Sequence, residues 1–451
     1  MDLEDSCELS PGTLSRQSAD STPTVATWTT EPDDSVPDVT ADDGSAVSSA
    51  SLSARREQYV LVTGGLGFIG SHTAVELLKS GFNVIIVDDL SNSFRSVLDG
   101  ILEIGRRYYC EASGPRGHGT CPMVEMHQIS YRDLPAMRSI LELHSFPSPT
   151  GEIVRSNIVG VVHLAAYKAV EESVRHPLRY YQNNVNGLVD LMALLDEFGV
   201  KTFIFSSSAA VYGSLSHRAR PLREENCIHP CEMAREPAGA EQPPPPPPQS
   251  SCAVIANPYG RTKLFAEAIL SDLVASDPSW NVVVLRYFNP VGCDDSGLLA
   301  DNPRGTPSSL VPVVTQVMTG QRPRVQVYGG DWDTADGTAV RDFIHVSDLA
   351  RGHTAALLAC RDGRVAGSYR TYNLGTGAGH SVLDVVRAME AVSGRPIPRA
   401  VVARRPGDVA SSVAAVDRAR RELCWETKRT LLDACQSVCG RLKLLRAGSA
   451  A

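Results

Sequence analysis

The sequence predicts an α/β fold in which helices cover both faces of a parallel, doubly wound sheet. From Tyr59 onward, short apolar runs rich in β-branched residues alternate with segments of helix length. Runs that are apolar throughout are typical of strands buried on both faces, and their alternation with helices is typical of a parallel sheet. The chain has 451 residues, of which 43% are hydrophobic, so it can also bury a sizeable core.

The N-terminal half contains the predicted sheet. A first strand is expected at Tyr59–Thr63, a helix from Phe68 to about Lys79, and a second strand at Asn83–Asp88. Three later runs predict further strands: Val159–Leu164, Thr202–Ser207 and Val282–Arg286. We therefore assign residues 57–290 to one domain.

The C-terminal part has shorter predicted elements and more Pro and Gly from about Phe288. Strands are expected at Phe343–Val346 and Tyr372–Leu374, and helices at Ser381–Ser393 and about Leu431–Leu445. These elements predict a smaller domain over 291–446 that is partly interleaved with the sheet.

Three segments lack the strand and helix pattern. Residues 1–56 are rich in Ser, Thr, Asp and Pro and predict a disordered tail, with a phosphorylated regulatory segment as the alternative to a passive extension. Residues 106–122 and 227–253 predict surface insertions, and Pro243–Pro248 in the second predicts a polyproline II rod that acts as a spacer or docks on a partner. The second insertion also contains four potential zinc ligands, which are Cys227, His229, Cys231 and Cys252. We predict no metal there, because their spacing matches no common zinc site.

Charge and cysteine content limit the partners and the compartment. The formal charge is −8, and residues 1–54 hold eleven acidic residues against Arg16 alone, so the remainder is about +2. We expect neither a nucleic-acid nor a membrane partner, because there is no basic stripe and no apolar run long enough to cross a bilayer. The N-terminus lacks secretory-signal features, and the eleven scattered cysteines suit reduced thiols, so a cytoplasmic location is expected.

A glycine-rich turn lies between the first strand and the first helix. Gly64, Gly67 and Gly70 let the backbone approach a pyrophosphate, and the helix N-terminus supplies partial positive charge. Asp88 ends the next strand, where it can accept a hydrogen bond from an adenosine ribose hydroxyl, and without an adjacent Arg it favours NAD over NADP. Residues 57–290 therefore predict a Rossmann-type NAD-binding domain.

Three further residues predict proton transfer. Ser208 follows the Thr202–Ser207 run, and Tyr259 and Lys263 are four residues apart at the start of a predicted helix, so both lie on one helix face. We expect the Lys263 ammonium to lower the pKa of the Tyr259 phenol, with a serine hydroxyl in the same hydrogen-bond network. This arrangement resembles the proton relay of the short-chain dehydrogenase/reductase superfamily.

Six blocks of the sequence resemble the UDP-glucose 4-epimerase family, in the family's order, between about Tyr59 and Trp425. The resemblance implies NAD-dependent, reversible epimerisation at C4 of UDP-hexoses through a 4-keto intermediate, as in galactose metabolism. It also implies a homodimer and an NAD that is regenerated in each turnover. The blocks are Val62–His72, Lys168–Asn186, Phe205–Gly213, Arg286–Gly292, Gly337–Leu349 and Tyr372–Gly377.

The resemblance also implies roles for individual residues. Lys263 is expected to reach the nicotinamide ribose as well as Tyr259. Besides the glycines, the implied NAD contacts are Phe68, Ile69, Asp88, Asp89, Asn92, Ser93, Gln128, Ile129, Leu164, Ala165, Ala166, Lys168, Asn183 and Phe288. The implied UDP-sugar contacts are Asn289, Ser309, Val325, Val327, Tyr328, Arg341, Arg405, Asp408 and Ser412.

Four positions depart from the family pattern. Ser308-Ser309 replaces an Asn-Asn pair and reaches less far towards a phosphate, and Gln128 replaces an adenine-contacting Asp. Asp89 replaces an Asn and adds negative charge beside the ribose. Ser412 stands where other members have Tyr or Cys, and its small side chain leaves room for the N-acetyl group of UDP-GlcNAc or UDP-GalNAc.

Three other functions remain as alternatives. A sugar-nucleotide 4,6-dehydratase is disfavoured, because Ala209-Ala210 stands where such enzymes carry Asp-Glu. An epimerase of a pentose or uronic UDP-sugar is open, since the sequence does not resolve what recognises C6. A catalytically silent NAD-binding regulator fits the departures at the UDP positions, but Ser208, Tyr259 and Lys263 are intact.

Overall fold

The computed structural model describes residues 24–26, 58–111, 121–147, 154–218, 221–233, 255, 257–365, 367–405 and 407–448. The strands of this part are β1 Thr24–Ala26, β2 Tyr59–Thr63, β3 Asn83–Val87, β4 Val124–His127, β5 Ser145–Pro147, β6 Val154–Ser156, β7 Ile158–His163, β8 Thr202–Ser208, β9 Asn281–Tyr287, β10 Asn289–Val291, β11 Val325–Tyr328, β12 Val340–His345, β13 Tyr369–Leu374, β14 Gly379–Ser381, β15 Arg399–Val402 and β16 Ser411–Ser412.

The α-helices are α1 Phe68–Lys79, α2 Ser96–Tyr109, α3 Leu134–Leu143, α4 Val170–Arg175, α5 Pro177–Tyr181, α6 Gly187–Glu197, α7 Pro230–Met233, α8 Pro258–Ser276, α9 Leu310–Met318, α10 Val346–Arg361, α11 Val382–Ser393, α12 Asp417–Leu423 and α13 Leu431–Gly448. A π-helical turn, Gln182–Asn186, joins α5 to α6, and 3₁₀ segments lie at Ala209–Arg218 and Glu224–Asn226.

The main sheet has the strand order β1-β4-β3-β2-β7-β8-β9-β13. All neighbouring pairs are parallel except β1 with β4. The direction of strand succession reverses between β2 and β7, and ligands of such sheets bind in the crevice at the carboxyl ends of the strands beside this switch point. The predicted Rossmann-type α/β fold is confirmed.

Both faces of the main sheet are covered by helices. In β2, Val60 and Val62 face a core shared with α1, α2 and α10, whereas Tyr59 and Leu61 face a core shared with α3, α6 and α8. These residues are buried because successive side chains of a strand point to opposite faces. A strand with two buried faces has no polar side, which explains why the runs that marked these strands in the sequence are apolar throughout.

The C-terminal part forms a second, smaller core. One sheet has the order β10-β12-β14 with β16 on β12, and β11 pairs with β15. Side chains of α9, α11 and α13 pack with these strands. The chain returns to the main sheet between them, since α10 packs on α1 and β13 pairs with β9. The domain limits at 57–290 and 291–446 stay a prediction.

The structure differs from the expectations at three segments. Thr24–Ala26, within the expected disordered tail, forms β1, and the rest of residues 1–56 lies outside the described residues. Residues 106–109 belong to α2 rather than to a surface insertion, because the apolar face of that helix continues to the buried Tyr109. Residues 112–120 lie outside the described part.

The second insertion begins inside the protein rather than on its surface. Cys227 and His229 are 8% and 6% exposed, and Glu232 in the following helix α7 is 2% exposed, so these three side chains are buried. Residues 234–254, which include Pro243–Pro248 and Cys252, lie outside the described residues. Among the helices that the structure describes, none is both long enough and apolar enough to cross a membrane.

Candidate active site

The glycine turn forms a close-packed entry to α1. Gly64 has a φ of +71°, and a Cβ there would lie 2.8 Å from the backbone nitrogen of Ala165, in the loop after β7. A Cβ on Gly70 would overlap the carbonyl oxygen of Gly64. Gly67 is the N-cap of α1, and no side chain caps this end of the helix. The backbone N–H groups of the first turn are therefore available to a pyrophosphate.

Asp88 is the first residue after β3, and it organises the loop that follows. Its Oδ2 accepts a 2.9 Å hydrogen bond from the backbone N–H of Leu66 in the glycine turn. Its Oδ1 accepts bonds from the backbone N–H of Leu90, at 2.9 Å, and from the hydroxyl of Ser93, at 2.7 Å. The carboxylate thus joins the loop after β3, where the ribose is expected, to the glycine turn, where the pyrophosphate is expected.

Most of the remaining predicted NAD contacts follow neighbouring strands at one edge of the sheet, whereas Asn183 lies in the π-helical turn Gln182–Asn186. Parallel strands present their carboxyl ends together, so these loops surround one crevice. Asp89, Asn92, Gln128 and Lys168 are exposed there, Ile129, Leu164, Ala165 and Ala166 are half-buried, and Ser93, Asn183 and Phe288 are buried. Together with Phe68 and Ile69 at the start of α1, they fit a dinucleotide.

Tyr259 and Lys263 lie on the first turns of α8, beside the end of β8. The helix starts there because Asn257 accepts a 2.8 Å hydrogen bond from the Gly260 N–H and Pro258 occupies the first turn. The hydroxyl of Ser208, the last residue of β8, lies close enough to Tyr259 to lower the pKa of its phenol. The predicted trio is therefore brought together.

Lys263 is 3% exposed and points at the end of β8. Its Nζ donates a 2.7 Å hydrogen bond to the carbonyl oxygen of Ser206 and lies 4.7 Å from the centre of the Phe205 ring. Burial lowers the pKa of this ammonium to about 7, although the negative charge of Glu267 acts in the opposite direction.

A cluster of charged side chains lies in the C-terminal part. It consists of Arg341, Asp408 and Arg405, with Tyr328 beside Arg405. Asp408 lies between the two arginines. Its Oδ1 is 3.6 Å from NH2 of Arg341, and its Oδ2 accepts a 3.2 Å hydrogen bond from Nε of Arg405. The Arg405 guanidinium stacks 4.3 Å above the Tyr328 ring. Burial lowers the pKa of Arg341, whereas Asp408 raises it. Two guanidinium groups in one cluster can donate hydrogen bonds to a diphosphate.

The other predicted UDP-sugar contacts lie on β10, β11 and β16 and at the start of α9. Ser412 is 9% exposed and pairs with Arg341 through the β16–β12 register. Ser309 is the exposed N-cap of α9, and Asn289 is exposed at the start of β10. The side chains of Val325 and Val327 are buried in the smaller core, so the predicted contact of these residues would be made by their backbone.

Comparisons with known proteins agree with this geometry. The model of the NAD dependent epimerase/dehydratase family matches residues 60–375. The chain belongs to this family. A UDP-glucose 4-epimerase of Dictyostelium discoideum is 42% identical over 380 residues, which cover 84% of this chain and 93% of that protein. The UDP-glucose 4-epimerase of Homo sapiens is 40% identical over 379 residues, which cover 84% and 94%.

Two solved structures of the family are also similar to this chain. The UDP-glucose 4-epimerase of Stenotrophomonas maltophila, with bound NAD and formylated UDP-arabinopyranose, has a TM-score of 0.70 and 39% identity, covering 86% of this chain and 99% of that one. The enzyme of Bifidobacterium longum, in complex with NAD⁺ and UDP, has a TM-score of 0.69 and 39% identity, covering 87% and 100%. The resemblance to UDP-glucose 4-epimerases is confirmed.

One expectation about this family member is wrong in the structure. The pKa of Tyr259 is raised rather than lowered, because burial disfavours the phenolate. The group that opposes this effect is the Ser208 hydroxyl and not Lys263. The spacing of four residues correctly placed both side chains on one helix face, but it carries no information on how deeply that face is buried.

Arg304 was missed in the sequence because it lies in a segment without a recognisable pattern. It reaches from the chain before α9 to the loop after β3, where its Nε donates a 2.8 Å hydrogen bond to the carbonyl oxygen of Ser93. Its guanidinium also stacks 4.5 Å above the Phe94 ring. Nearby, Leu299 is 1% exposed and packs against Gly100 of α2. This segment therefore runs alongside the predicted ribose pocket.

A second missed group is a buried cluster beneath Ser208. Glu267, 0% exposed on α8, accepts a hydrogen bond from Ser207 at 2.5 Å on Oε1 and one from Arg286 at 2.7 Å on Oε2. Its Oε2 also lies 2.9 Å from Nε2 of His229. The signal for Glu267 was present, since it lies four residues after Lys263. The signal for His229 was hidden by the irregular sequence around it.

Three side chains of this cluster also lie close enough together to be considered as ligands of one metal ion. Cys227, His229 and Glu267 place one possible ligand atom each within 4.8 Å of one another. However, the Glu267 carboxylate is already held by the Arg286 guanidinium, whose charge opposes a cation there. We therefore interpret these residues as an ion-pair network.

Proposed function

We propose that the protein catalyses the NAD-dependent, reversible epimerisation of UDP-hexoses at C4, interconverting UDP-galactose and UDP-glucose through a 4-keto sugar. The observation that carries the proposal is the placement of Tyr259 against Ser208 and on the same face of α8 as Lys263, at the carboxyl edge of the sheet. The family match and relatives about 40% identical over most of the chain support it.

The crevice fits NAD as its resident cofactor. The uncapped N-terminus of α1 and the glycine turn would hold the pyrophosphate, and Asp88 would hold the adenosine ribose. Bound NAD⁺ supplies the acceptor for the hydride of C4 and the donor that returns it. The chain's own contribution is to orient the sugar and to move a proton on its 4-hydroxyl.

Tyr259 is the residue that we assign to this proton. Its phenolate accepts the proton of the 4-hydroxyl when the sugar is oxidised, and its phenol returns it when the keto group is reduced. Ser208 stabilises the phenolate by a hydrogen bond and lowers the pKa that burial has raised. The Lys263 ammonium adds positive charge to the same face of α8.

Arg341, Arg405 and Asp408 are assigned to the UDP part of the substrate. Arg341 is fixed by donating from NH1 to the carbonyl oxygens of Val340 and Val409, both at 2.8 Å. Its Nε and NH2 groups are left to donate to a phosphate, with NH2 also 3.6 Å from Asp408. Ser309, as the N-cap of α9, adds backbone N–H groups from the first turn of that helix. A tethered diphosphate lets the keto sugar turn without leaving.

The function is tested by incubating the purified protein with UDP-galactose and no added NAD. The formation of UDP-glucose is measured by chromatography. UDP-N-acetylgalactosamine is assayed in parallel, because the small Ser412 beside Arg341 leaves room for an N-acetyl group. Turnover of the first sugar alone would support the hexose function and refute the N-acetyl extension. No turnover of either sugar, even with NAD supplied, would refute the proposal.

The proposal extends to assembly and location. We propose a homodimer, because neighbouring helices α4, α5 and α6 expose the apolar side chains Val174, Leu178 and Val189 at 59%, 73% and 44%. We propose the cytoplasm as the compartment, because buried cysteines such as Cys293 and Cys435 are not in disulfides. Neither nucleic acid nor a membrane is proposed as a partner.

A further inference from the structure

Glu267 has a complete set of partners in the interior of the protein. Oε1 accepts from the Ser207 hydroxyl at 2.5 Å and from Arg286 Nε at 3.1 Å. Oε2 accepts from Arg286 NH2 at 2.7 Å and lies 2.9 Å from Nε2 of His229. The side chains of Glu267 and Arg286 are 0% exposed. The carboxylate is therefore held in one position by three different elements of the structure.

The partners of Glu267 keep it ionised. Burial alone would raise the pKa of this carboxyl, but Arg286 and His229 lower it to about 2. Burial would lower the pKa of His229, but the neighbouring Cys227 and the carboxylate of Glu267, 2.9 Å away, raise it to about 9. Arg286 and His229 therefore favour the ionised form of Glu267, and Glu267 in turn favours the protonated form of His229.

The other groups around the cluster do not replace this carboxylate. Tyr369 of β13 donates its hydroxyl to the backbone oxygen of Glu267. On the far side of Arg286, NH1 donates to the Tyr212 hydroxyl and to the backbone oxygen of Glu224, both at 3.3 Å. A buried ion pair is weak support for stability, because desolvation offsets the attraction. The position of this pair relative to the catalytic residues offers another role.

Two links join Glu267 to the catalytic trio. Tyr259, Lys263 and Glu267 are successive fourth residues of α8 and lie on one face of it. The carboxylate raises the pKa of Lys263 against the effect of burial. The second link is Ser207, which is bonded to Glu267 and directly precedes Ser208 at the end of β8.

We propose that Glu267 is a positioning residue of the reaction, which fixes the end of β8 through Ser207 and sets the charge balance of Lys263 and Tyr259 through its own carboxylate. The inference rests on the proposed epimerase function. Arg286 and His229 hold the carboxylate in place but do not touch the reacting atoms. The two links predict different effects, so they can be separated by substitution.

The charge link is tested by Glu267→Gln. Loss of the negative charge favours deprotonation of Lys263 and Tyr259, so the pH profile of kcat for UDP-galactose is expected to move about one unit to lower pH. His229→Gln removes a positive charge and is expected to move the profile to higher pH. Glu232→Gln is the matched control, since Glu232 is also buried and pairs with Arg418 at 2.6 Å, but on another element. It is expected to lower stability without moving the profile.

The positional link is tested by Ser207→Ala. This variant keeps all charges, so kcat is expected to fall about tenfold with the pH profile in place. Wild-type pH profiles in both Glu267→Gln and His229→Gln would overturn the charge link, and a wild-type kcat in Ser207→Ala would overturn the positional link. If Glu267→Gln does not fold, the opposite shift in His229→Gln decides the charge link.

A readout without turnover separates this inference from the proposed function. The ultraviolet absorbance of tyrosinate is titrated in each protein and in its Tyr259→Phe counterpart, and the difference reports Tyr259. A shift to lower pH in Glu267→Gln, absent in Glu232→Gln, supports the charge link even in a protein that converts no UDP-galactose. An unchanged titration in Glu267→Gln would overturn it.

Discussion

Arg304 donates a 2.8 Å hydrogen bond from its Nε to the carbonyl oxygen of Ser93. Ser93 in turn donates its hydroxyl to Asp88, the residue that we assign to the adenosine ribose. A segment that precedes the helix α9 of the smaller core is thereby tied to the cofactor side of the crevice. The link joins the cofactor and sugar-nucleotide sides of the proposed active site.

Arg304→Gln is expected to release NAD about tenfold faster, because a hydrogen bond from a charged donor contributes about 1.5 kcal/mol or more. The NAD that remains bound after repeated gel filtration, released by acid and quantified, measures the effect. Arg364→Gln is the control, since Arg364 pairs with Asp362 at the exposed end of α10. Equal NAD content in the two variants would contradict the assigned role.

Ser208→Ala is expected to lower kcat about 100-fold at neutral pH. The Ser208 hydroxyl lowers the pKa of Tyr259, so its loss raises that pKa and the acid limb of the pH profile moves to higher pH. Ser208→Thr keeps a hydroxyl and should preserve the position of the limb. A uniform loss of activity in Ser208→Ala at every pH would mean that Ser208 does not control the proton on Tyr259.

Arg405→Ala is expected to raise the KM for UDP-galactose about tenfold with a smaller change in kcat, since it removes a guanidinium assigned to the diphosphate. Arg404→Ala provides a control at the adjacent position, because Arg404 instead pairs with Asp331 and stacks on Trp332. Steady-state kinetics of both variants make the comparison. The assignment fails if Arg404→Ala raises KM as much as Arg405→Ala.

Leu178→Lys is expected to shift the protein from dimer to monomer, because it places a charge in the exposed apolar patch of α4, α5 and α6. Val401→Lys is the matched control, since Val401 is 62% exposed on β15, away from that patch. Sedimentation velocity over a range of concentrations measures both. A dimer that persists in Leu178→Lys would contradict the assignment of the interface to these three helices.

The fold followed from the sequence where one physical rule dominated. Strands buried on both faces must be apolar throughout, so β2, β3, β7, β8 and β9 were found within one or two residues. The helix α1 was found from Phe68 to Lys79 because a glycine turn precedes it. The place of β13 in the main sheet was less visible, because parallel pairing to a distant strand leaves no local pattern.

The site was less completely predicted than the fold. The spacing of Tyr259 and Lys263 gave their common face, but the sign of the Tyr259 pKa shift depends on burial, which no local pattern encodes. Val325 and Val327 were assigned to the substrate by resemblance, which did not show that β-strand alternation turns both side chains to the buried face. Glu267, His229 and Arg286 are far apart in sequence and meet only in the folded protein.

The most direct test of the account compares Tyr259→Phe with Tyr108→Phe in the conversion of UDP-galactose to UDP-glucose. Tyr108 lies on α2, away from the crevice, and its substitution should leave turnover at the wild-type level. Tyr259→Phe should retain bound NAD and UDP while losing turnover by about 100-fold or more, because it removes only the hydroxyl that carries the proton. Wild-type turnover in Tyr259→Phe would contradict the account.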